Sequence, residues 1–545
     1  MLTDPAPTGG VLTHVEVYDT TLRDGTQAEG LSLSASDKLR IIRALDDFGI
    51  DYIEAGFPGS NPKDAELFAR ARELSLRHAK VVAFGATRHP ERTPEGDSGL
   101  AALLAAETEI CTLFGKSWRL HVEDVLRISE DDNLKLIEDS LAYLAGHGRR
   151  VFFDAEHFFD GFTAEPEFAL RVLGAALAGG ASRLILCDTN GGKLPWEVHE
   201  IVSAVRDRFP QAVIGIHAHN DTECAVANSL AAVQAGARQV QGTINGFGER
   251  CGNGNLCSIL PGLEIKLGLQ CLDPGKLKQL RDLARLVSEV CNTKLNPHAA
   301  YVGRSAFAHK GGVHVSAMRR SIDSYQHIDP ALVGNVSRVL VSELSGRSNL
   351  VTKAEEFGLK TNAVDAAVIV NQIKHYESQG FSFEAAEASV ALLIKRAEPS
   401  YAPPFKLTDF QVTVGERGTA EPFSEATVRV EVDGELMHTA GSGNGPVSAL
   451  DQALRKALGI RYPQLSAVTL SGYKVRILNE DAATGAITRV LIAHDGPSGT
   501  FSTVGASTNI IAASLLALID GLEFALLTAR GDFHTDPPVA AQGAP

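Results

Sequence analysis

The chain has no excess of positive charge, no cysteine pair at metal-binding spacing and no long uninterrupted apolar run. Its 51 basic residues are outnumbered by 66 acidic ones, which gives a formal net charge of -15 at pH 7. Because a nucleic-acid-binding protein normally presents a basic surface, this balance predicts no nucleic-acid partner. It is compatible with an anionic substrate, since a few local cations can reverse the field inside a pocket.

The seven cysteines include no C-x-x-C pair, and an odd number of unpaired thiols is typical of a reduced, cytoplasmic protein. The first 13 residues have no basic start followed by an apolar stretch, so we expect no signal peptide. No run reaches the roughly 20 apolar residues of a membrane span. These absences predict a cytoplasmic protein without membrane contact.

Over its first 270 residues the sequence alternates short β-rich runs with longer helical patterns. Leu39, Ile42 and Leu45 follow a helical spacing, and Gly49 marks the end of that helix. Eight strands alternating with helices over about 250 residues predict a (β/α)8 TIM barrel. A doubly wound open sheet is the alternative, but no G-x-G-x-x-G motif opens the first helix. The strand candidates are residues 15–19, 52–55, 81–85, 109–114, 151–156, 183–188, 213–217 and 239–243.

Four consecutive parts are expected along the chain. The catalytic barrel takes residues 14–270, and mainly helical linker subdomains follow over residues 271–400, ending in a proline-rich stretch. An α+β regulatory and dimerisation domain is predicted over residues 401–530, because two strands, a glycine-rich turn and a helix occur there twice. We expect residues 531–545 to form a disordered tail.

Polar residues cluster at the predicted carboxyl-terminal ends of the strands, where a TIM barrel carries its chemistry. Two of them, His217 and His219, lie two apart on one strand and therefore face the same side. Such a pair is either two metal ligands or a stacked polar layer, and Asp24 and Asn253 at the same rim favour a metal site. The polar residues at the strand ends are Arg23, Asp24, Glu54, Asp154, Glu156, Asp188, Thr189, Asn190, His217, His219, Asn220, Asp221 and Asn253.

A donor set of carboxylate and imidazole suits Mn²⁺, Zn²⁺ or Co²⁺ better than Ca²⁺, and Mg²⁺ is also compatible. Too few protein ligands are evident to close the coordination shell, which predicts a Lewis-acid role toward a bound carbonyl group. Arg23 beside Asp24 places a permanent cation where an oxyanion can develop. Asp154 and Glu156 either act as general acid or base or pair with buried cations.

Four motifs resemble those of the 2-isopropylmalate, homocitrate and citramalate synthase family. The resemblance covers almost the whole chain, because residues 405–527 resemble the regulatory domain of that family. The motifs are Asp19-Thr-Thr-Leu-Arg-Asp-Gly-Thr-Gln27, Ile53-Glu-Ala-Gly-Phe-Pro58, His217-Ala-His-Asn-Asp221 and Gly248-Glu-Arg-Cys-Gly-Asn253.

The resemblance implies a role for each matching residue. The metal ligands are Asp24, His217, His219 and Asn253, and the residues that contact the 2-oxo acid are Arg23, Asp154, Glu156 and Thr189. Arg23 and Glu156 also count as catalytic, together with His314 and Tyr325 in the helical region, which match the pair that reaches acetyl-CoA. The implied reaction is a Claisen-type condensation of acetyl-CoA with a short 2-oxo acid at a divalent metal.

Within the family, Val341-Ser-Glu-Leu-Ser-Gly-Arg-Ser-Asn349 departs from the Lys-His-Ser-Gly-Arg form of isopropylmalate synthases and resembles the citramalate branch. We therefore expect pyruvate as the acceptor and a branched-chain amino acid, isoleucine in preference, as a feedback effector of a homodimer. The alternatives are a sister synthase that takes 2-oxoisovalerate or 2-oxoglutarate, a lyase of the 3-hydroxy-3-methylglutaryl-CoA or 4-hydroxy-2-oxovalerate type, and a regulatory module on an inactive barrel.

Overall fold

The computed structural model describes residues 14–60, 62–359, 363–416 and 422–533. The chain divides into two compact units, Met1–Phe307 with Asp329–Val336, and Ala308–Ile328 with Ser337–Pro545. The part of the predicted tail beyond residue 533 lies outside the described residues. All seven cysteines are free thiols.

The first unit contains a closed barrel of eight parallel strands in the order β1 to β8, with β1 paired to β8. The predicted TIM barrel is therefore confirmed, and each predicted strand boundary lies within two residues of the observed one. The strands are β1 Glu16–Asp19, β2 Tyr52–Gly56, β3 Lys80–Ala86, β4 Ile110–Lys116, β5 Arg150–Glu156, β6 Ala181–Asp188, β7 Ile214–Ala218 and β8 Gln239–Gly242.

Helices surround the strands, and the first shows how the sequence sets their ends. At its start, the side chain of Ser34 accepts a hydrogen bond from the backbone of Asp37, and the side chain of Asp37 accepts one from the backbone of Ser34. At its end, Gly49 adopts the left-handed conformation with φ 101°. The helices of this unit are α1 Ala35–Phe48, α2 Pro62–Ala71, α3 Ser98–Ala105, α4 Glu130–Gly146, α5 Phe158–Ala164, α6 Pro166–Ala178, α7 Pro195–Arg208, α8 Ala225–Ala235, α9 Leu256–Pro261 and α10 Leu280–Val290.

The second unit begins with two short paired strands, β9 Ala308–His309 and β10 Arg338–Val339. Four helices accompany them, and the apolar faces of the last three form one core that also includes Val504 and Phe524. These helices are α11 Gly312–Met318, α12 Arg347–Glu356, α13 Ala363–Ser378 and α14 Glu387–Arg396.

The rest of the second unit contains two antiparallel three-stranded sheets, each followed by a helix that packs on it. The sequence indicated only two strands in each half, and the third, β13 or β14, was missed; both of these strands are mostly exposed. The elements are β11 Lys406–Gly415, β12 Phe423–Val432, β13 Glu435–Gly443, α15 Pro446–Leu458, β14 Thr469–Ile477, β15 Thr488–Gly496, β16 Gly499–Ser507 and α16 Ile510–Ala529.

Helix α16 is the one helix of the described residues that is long and apolar enough to cross a membrane. The sequence of α16 is not an uninterrupted apolar run, because Asp520 and Glu523 lie within the helix. Of the most apolar 18-residue window of this helix, a 67% share is buried inside the protein. Leu518, Leu522 and Leu526 belong to the core beneath the sheets. Helix α16 is therefore placed as a core helix.

Candidate metal centre at the barrel mouth

Asp24, His217 and His219 converge at the carboxyl-terminal end of the barrel. Oδ2 of Asp24 lies 3.2 Å from Nε2 of His217 and 3.7 Å from Nε2 of His219. All three side chains are buried, and their ligand atoms lie within 4.8 Å of one another. The two histidines come from the end of β7 and Asp24 from the loop after β1, so β8 lies between their strands.

The loop that carries Asp24 is held in place by the end of β1. Oδ1 of Asp19 accepts a hydrogen bond from the backbone of Thr21 at 3.0 Å, and Oδ2 accepts one from its hydroxyl at 2.8 Å. The same hydroxyl oxygen accepts from the backbone of Ile244 after β8, at 2.9 Å. Burial raises the pKa of Asp19 to about 7. This network fixes the first and last strands of the barrel beside the Asp24 loop.

Asn253 reaches the same centre from the loop after β8. Its backbone forms an antiparallel bridge with His219, and its Nδ2 donates to the carbonyl of Phe247 at 3.1 Å. Gly248 allows this approach, since a Cβ there would lie 2.1 Å from Nδ2 of Asn253. The side-chain oxygen Oδ1 of Asn253 is thereby left as a free acceptor.

The donor atoms of this centre fit a divalent metal ion. Oδ1 of Asp24, Nδ1 of His219 and Oδ1 of Asn253 are buried and have no hydrogen-bond partner in the part of the chain that the structure describes. Leaving such atoms unsatisfied is costly unless they bind a ligand. One carboxylate, two imidazoles and one amide oxygen form a set that suits divalent transition metals.

The electrostatics of the centre keep its donors ready for a cation. Burial works to raise the pKa of Asp24, but the charges of Arg23 and His217 outweigh it and hold this pKa well below its usual value. Burial, together with the charge of His217, lowers the pKa of His219 to about 4. For His217 the pKa is raised, because Asp24 outweighs the effect of burial. Asp24 is therefore a carboxylate and His219 a neutral imidazole at neutral pH.

Arg23 is held beside the predicted ligand Asp24 by contacts with Phe84 and Glu54. Its guanidinium carbon lies 3.7 Å from the ring centroid of Phe84, its Nε donates to Glu54 at 2.5 Å, and its Nη1 lies 3.3 Å from Asp24. The fully buried Glu54 also accepts a hydrogen bond from Tyr18 at 2.7 Å. Burial alone would lower the pKa of Arg23, but the charges of Glu54 and Asp24 outweigh burial and raise this pKa above its usual value. Sequence reasoning placed Arg23 here but missed the support from Phe84.

His217 and the predicted residue Asp154 are linked by Gln241, which sequence reasoning also missed. Nδ1 of His217 lies 3.0 Å from Oε1 of Gln241, whose Nε2 donates to Asp154 at 3.3 Å. Burial, followed by the charge of Glu54, raises the pKa of Asp154 to about 7. The sequence did contain a sign of this polar contact. Gln239 and Gln241 lie two residues apart on β8, so their side chains point to the same face of the strand.

Glu156 and Thr189 lie at the ends of β5 and β6. Glu156 pairs with Lys116 at the end of β4, a partner that no motif had indicated. The hydroxyl oxygen of Thr189 accepts a hydrogen bond from the backbone of His157 at 2.9 Å, which leaves the hydroxyl proton free to be donated. Both residues therefore present hydrogen-bonding groups at the barrel mouth.

His314 and Tyr325 belong to the second unit, where their rings stack with centroids 4.2 Å apart and an angle of 23°. His314 lies in the first turn of α11 and is exposed, and Tyr325 is 44% exposed. The predicted pair is thus brought together.

Family profiles match three consecutive segments of the chain. The HMGL-like profile matches residues 14–287, a homocitrate synthase post-HMGL domain-like profile matches residues 301–380, and the LeuA allosteric (dimerisation) domain matches residues 384–526. The barrel and the centre at its mouth are therefore those of an HMGL-like enzyme that carries a LeuA-type domain.

Curated relatives define the family more closely. The chain is 52% identical to the (R)-citramalate synthase of Geobacter sulfurreducens over 515 residues, 94% of this chain and 97% of that protein. It is 51% identical to the (R)-citramalate synthase of Aquifex aeolicus, over 94% of this chain and 98% of that protein. The probable 2-isopropylmalate synthase of Methanopyrus kandleri is 31% identical over 93% of this chain and 97% of that protein.

The chain belongs to the (R)-citramalate synthase family, and it is an acyltransferase. This confirms the branch that the motif from Val341 to Asn349 indicated. The lower identity of 31% to the 2-isopropylmalate synthase counts against a sister synthase. The match to synthases along nearly the whole chain counts against a lyase or an inactive barrel.

Proposed function

We propose that this chain condenses acetyl-CoA with pyruvate at the barrel mouth and hydrolyses the thioester, giving citramalate and CoA for isoleucine biosynthesis. The observation that carries the proposal is the convergence of the buried Asp24 carboxylate on His217 and His219, with Arg23 fixed beside it. The identity with (R)-citramalate synthases over 94% of the chain supports pyruvate as the acceptor.

The proposed ligands of a divalent metal, Mn²⁺, Zn²⁺, Co²⁺ or Mg²⁺, are Asp24, His217, His219 and Asn253. A metal bound there would polarise the keto group of the acceptor as a Lewis acid. The chain supplies the remaining steps. The guanidinium of Arg23 stabilises the oxygen that gains negative charge when the new carbon–carbon bond forms, since Glu54 and Phe84 hold it in place before the reaction.

Orientation of the acceptor is assigned to the ends of β5 and β6. The hydroxyl of Thr189 donates to the carboxylate of pyruvate, because its oxygen already accepts from the backbone of His157. Glu156, together with its partner Lys116, contacts the acceptor beside it. Asp154 supports the arrangement through Gln241, and its raised pKa allows it to hold a proton near neutral pH.

His314 is the proposed base that takes a proton from the methyl group of acetyl-CoA, and the stacked ring of Tyr325 orients it. The resulting enolate adds to the keto carbon of pyruvate, and the keto oxygen becomes the hydroxyl of citramalate. Water then cleaves the thioester, which releases CoA and the new carboxylate. This proposal places the chain in the cytoplasm.

The domain functions follow from the same proposal. The barrel over residues 14–270 is catalytic, the linker subdomains take residues 271–400, and residues 401–530 form the regulatory and dimerisation domain. The match of the LeuA allosteric (dimerisation) domain to residues 384–526 supports a homodimer and feedback by an amino acid.

A cavity in the second unit supports isoleucine as the effector. It has a volume of about 490 Å³ and lies beside α15 and β14. Asp451 and Arg455 form an ion pair there, with Nε of Arg455 2.8 Å from Oδ2 of Asp451, and their remaining atoms Oδ1 and Nη2 are buried without hydrogen-bond partners among the described residues. Their opposite charges suit the ammonium and carboxylate of an amino acid, and the apolar lining suits a branched side chain. The apolar residues of the lining include Val447, Val468, Leu470 and Tyr473.

The acceptor can be tested by measuring CoA release from acetyl-CoA with pyruvate, 2-oxobutyrate, 2-oxoisovalerate or 2-oxoglutarate in turn. We expect pyruvate to give the highest kcat/KM. A higher value with 2-oxoisovalerate would place the chain with isopropylmalate synthases instead. Binding titrations with isoleucine and leucine test the effector, and binding of neither would refute the regulatory proposal.

A further inference from the structure

Arg250 connects three loops at the barrel mouth. It lies in the loop after β8, and its Nε and Nη2 donate to the two carboxylate oxygens of Asp221, at 2.8 and 3.0 Å. The same Nη2 donates to the backbone carbonyl of Thr189 at 2.7 Å. Asp221 follows β7 and Thr189 follows β6, so one guanidinium joins the ends of three neighbouring strands.

Each of these loops carries a residue of the proposed site. Thr189 is itself one, Asp221 lies two residues after His219, and Arg250 lies three residues before Asn253. A change in the position of any one loop would therefore move a metal ligand or the residue proposed to hold the acceptor. The fork of an arginine suits this task, because it can bind a carboxylate with two donors and still reach a third acceptor.

The backbone around Arg250 is built for these contacts. Arg250 adopts φ 53°, in the left-handed region that few residues other than glycine occupy. The loops also meet directly, because the backbone of Asn220 donates to the carbonyl of Gly252 at 2.9 Å. Gly191 packs so closely that a Cβ would lie 2.4 Å from Oδ2 of Asp221. Arg250 thus keeps a disfavoured conformation in a loop that packs closely against its partner Asp221, as strained residues at functional sites do.

We propose that Arg250 and Asp221 act as positioning residues that set the geometry of Thr189, His219 and Asn253. This inference rests on the proposed function, which assigns those three residues their roles. Neither Arg250 nor Asp221 touches the metal or the acceptor in this assignment. They act by holding the three loops at a fixed separation.

The test compares Arg250→Lys with Arg171→Lys, a matched control. Arg171 also binds two carboxylate oxygens at the surface, those of Glu130 and Asp131 at 2.8 and 2.6 Å, but it lies on the outer helix α6. Lysine keeps the positive charge but cannot donate to two acceptors in the fixed geometry of a guanidinium. An effect of the substitution at position 250 therefore reflects the lost geometry and not a lost charge. Each full-length variant is titrated with Mn²⁺ by calorimetry, and KM for pyruvate and kcat are measured separately.

We expect Arg250→Lys to bind Mn²⁺ about 10-fold more weakly, as other changes behind metal ligands do, and to raise KM for pyruvate. Asp221→Asn should give the same pattern, and the double variant should be little worse than either single one, because both remove the same contact. Arg171→Lys should behave as the unchanged protein in both measurements.

Unchanged Mn²⁺ affinity and KM in Arg250→Lys would overturn the inference, even if thermal stability fell, since a purely structural contact changes stability alone. Losses that add in the double variant would also overturn it. Failure of the proposed function would give a different result. The protein without substitutions would release no CoA with pyruvate, while the Mn²⁺ titrations would still show whether Arg250 affects metal binding.

Discussion

Nδ1 of His217 is hydrogen-bonded to Oε1 of Gln241 at 3.0 Å, while Nε2 of the same ring faces Asp24 at 3.2 Å. Because an amide oxygen only accepts, Nδ1 of His217 carries a proton, so Nε2 is the nitrogen through which this ring can bind a cation. Gln241 therefore selects the form of the imidazole that can bind a cation, and it fixes the orientation of the ring.

Replacing Gln241 by methionine should weaken binding of Mn²⁺ by about 10- to 100-fold, since the ring of His217 loses its orienting acceptor. The control is Gln239→Met on the same strand. Gln239 is equally buried, but its Nε2 donates to Glu16 at 3.1 Å, at the other end of β8. Calorimetric titration measures both variants, and equal weakening in the two would argue against a specific role of Gln241.

Arg23→Lys should lower kcat by about 10²- to 10³-fold, because one ammonium cannot keep the fork that faces the developing oxyanion. Steady-state assays of CoA release check this. Arg183→Lys is the control, since Arg183 binds both oxygens of Glu16, at 2.8 and 2.7 Å, in the barrel. An Arg23 variant that keeps its kcat would remove Arg23 from the mechanism.

The barrel and its convergent residues could be predicted from the sequence because both depend on local patterns. A strand alternates its faces every residue, so the spacing of His217 and His219 alone places both rings on one side. The parallel order of eight strands then brings Asp24 beside them, although it is distant along the chain. Strand period and topology together were sufficient for this part of the site.

Gln241, Lys116 and Phe84 could not be assigned in the same way. Each acts through a partner on another strand, and the pairing depends on the register of the closed barrel and on side-chain orientation. The exposed strands β13 and β14 were missed for a related reason. Their side chains are exposed or half-buried, and the alternating apolar residues of β14, Tyr473, Val475 and Ile477, are exposed, so no buried face marks either strand.

Asp451→Asn should reduce inhibition by isoleucine and leave the uninhibited rate unchanged. The substitution removes the negative charge proposed to bind the ammonium group of the effector, and Asp451 lies outside the barrel. Inhibition curves with isoleucine at fixed pyruvate provide the measurement. Asp495→Asn, an exposed aspartate on β15, should retain normal inhibition, and a similar loss in both variants would contradict the assignment of the cavity.

The second unit should lose stability as the pH falls from about 6.5 toward 4. His494 is fully buried against Gly521, and burial, with the charge of Arg455, lowers its pKa from 6.5 to about 4. Between these values the unfolded chain binds a proton that the folded unit does not, so acidification favours unfolding. The contribution of His494 is on the order of 3 kcal/mol above pH 6.5 and is lost on the way to pH 4.

Hydrogen exchange of the amides in α16, measured by mass spectrometry across this pH range, follows that stability after correction for intrinsic exchange rates. His494→Gln should flatten the pH dependence, because glutamine does not titrate. His438→Gln, at an exposed position on β13, serves as the control. A steep profile that persists in His494→Gln would assign the pH dependence to other groups.

Asp24 is contributed by the loop that follows the first strand of the barrel, and Asn253 by the loop that follows the last. Because β1 pairs with β8, the donor set is complete only when the two ends of the barrel have joined. During synthesis, a nascent chain that has not yet emerged beyond Asn253 cannot form the full centre. A metal ion at the proposed centre could therefore bind through all four donors only in molecules whose barrel has closed.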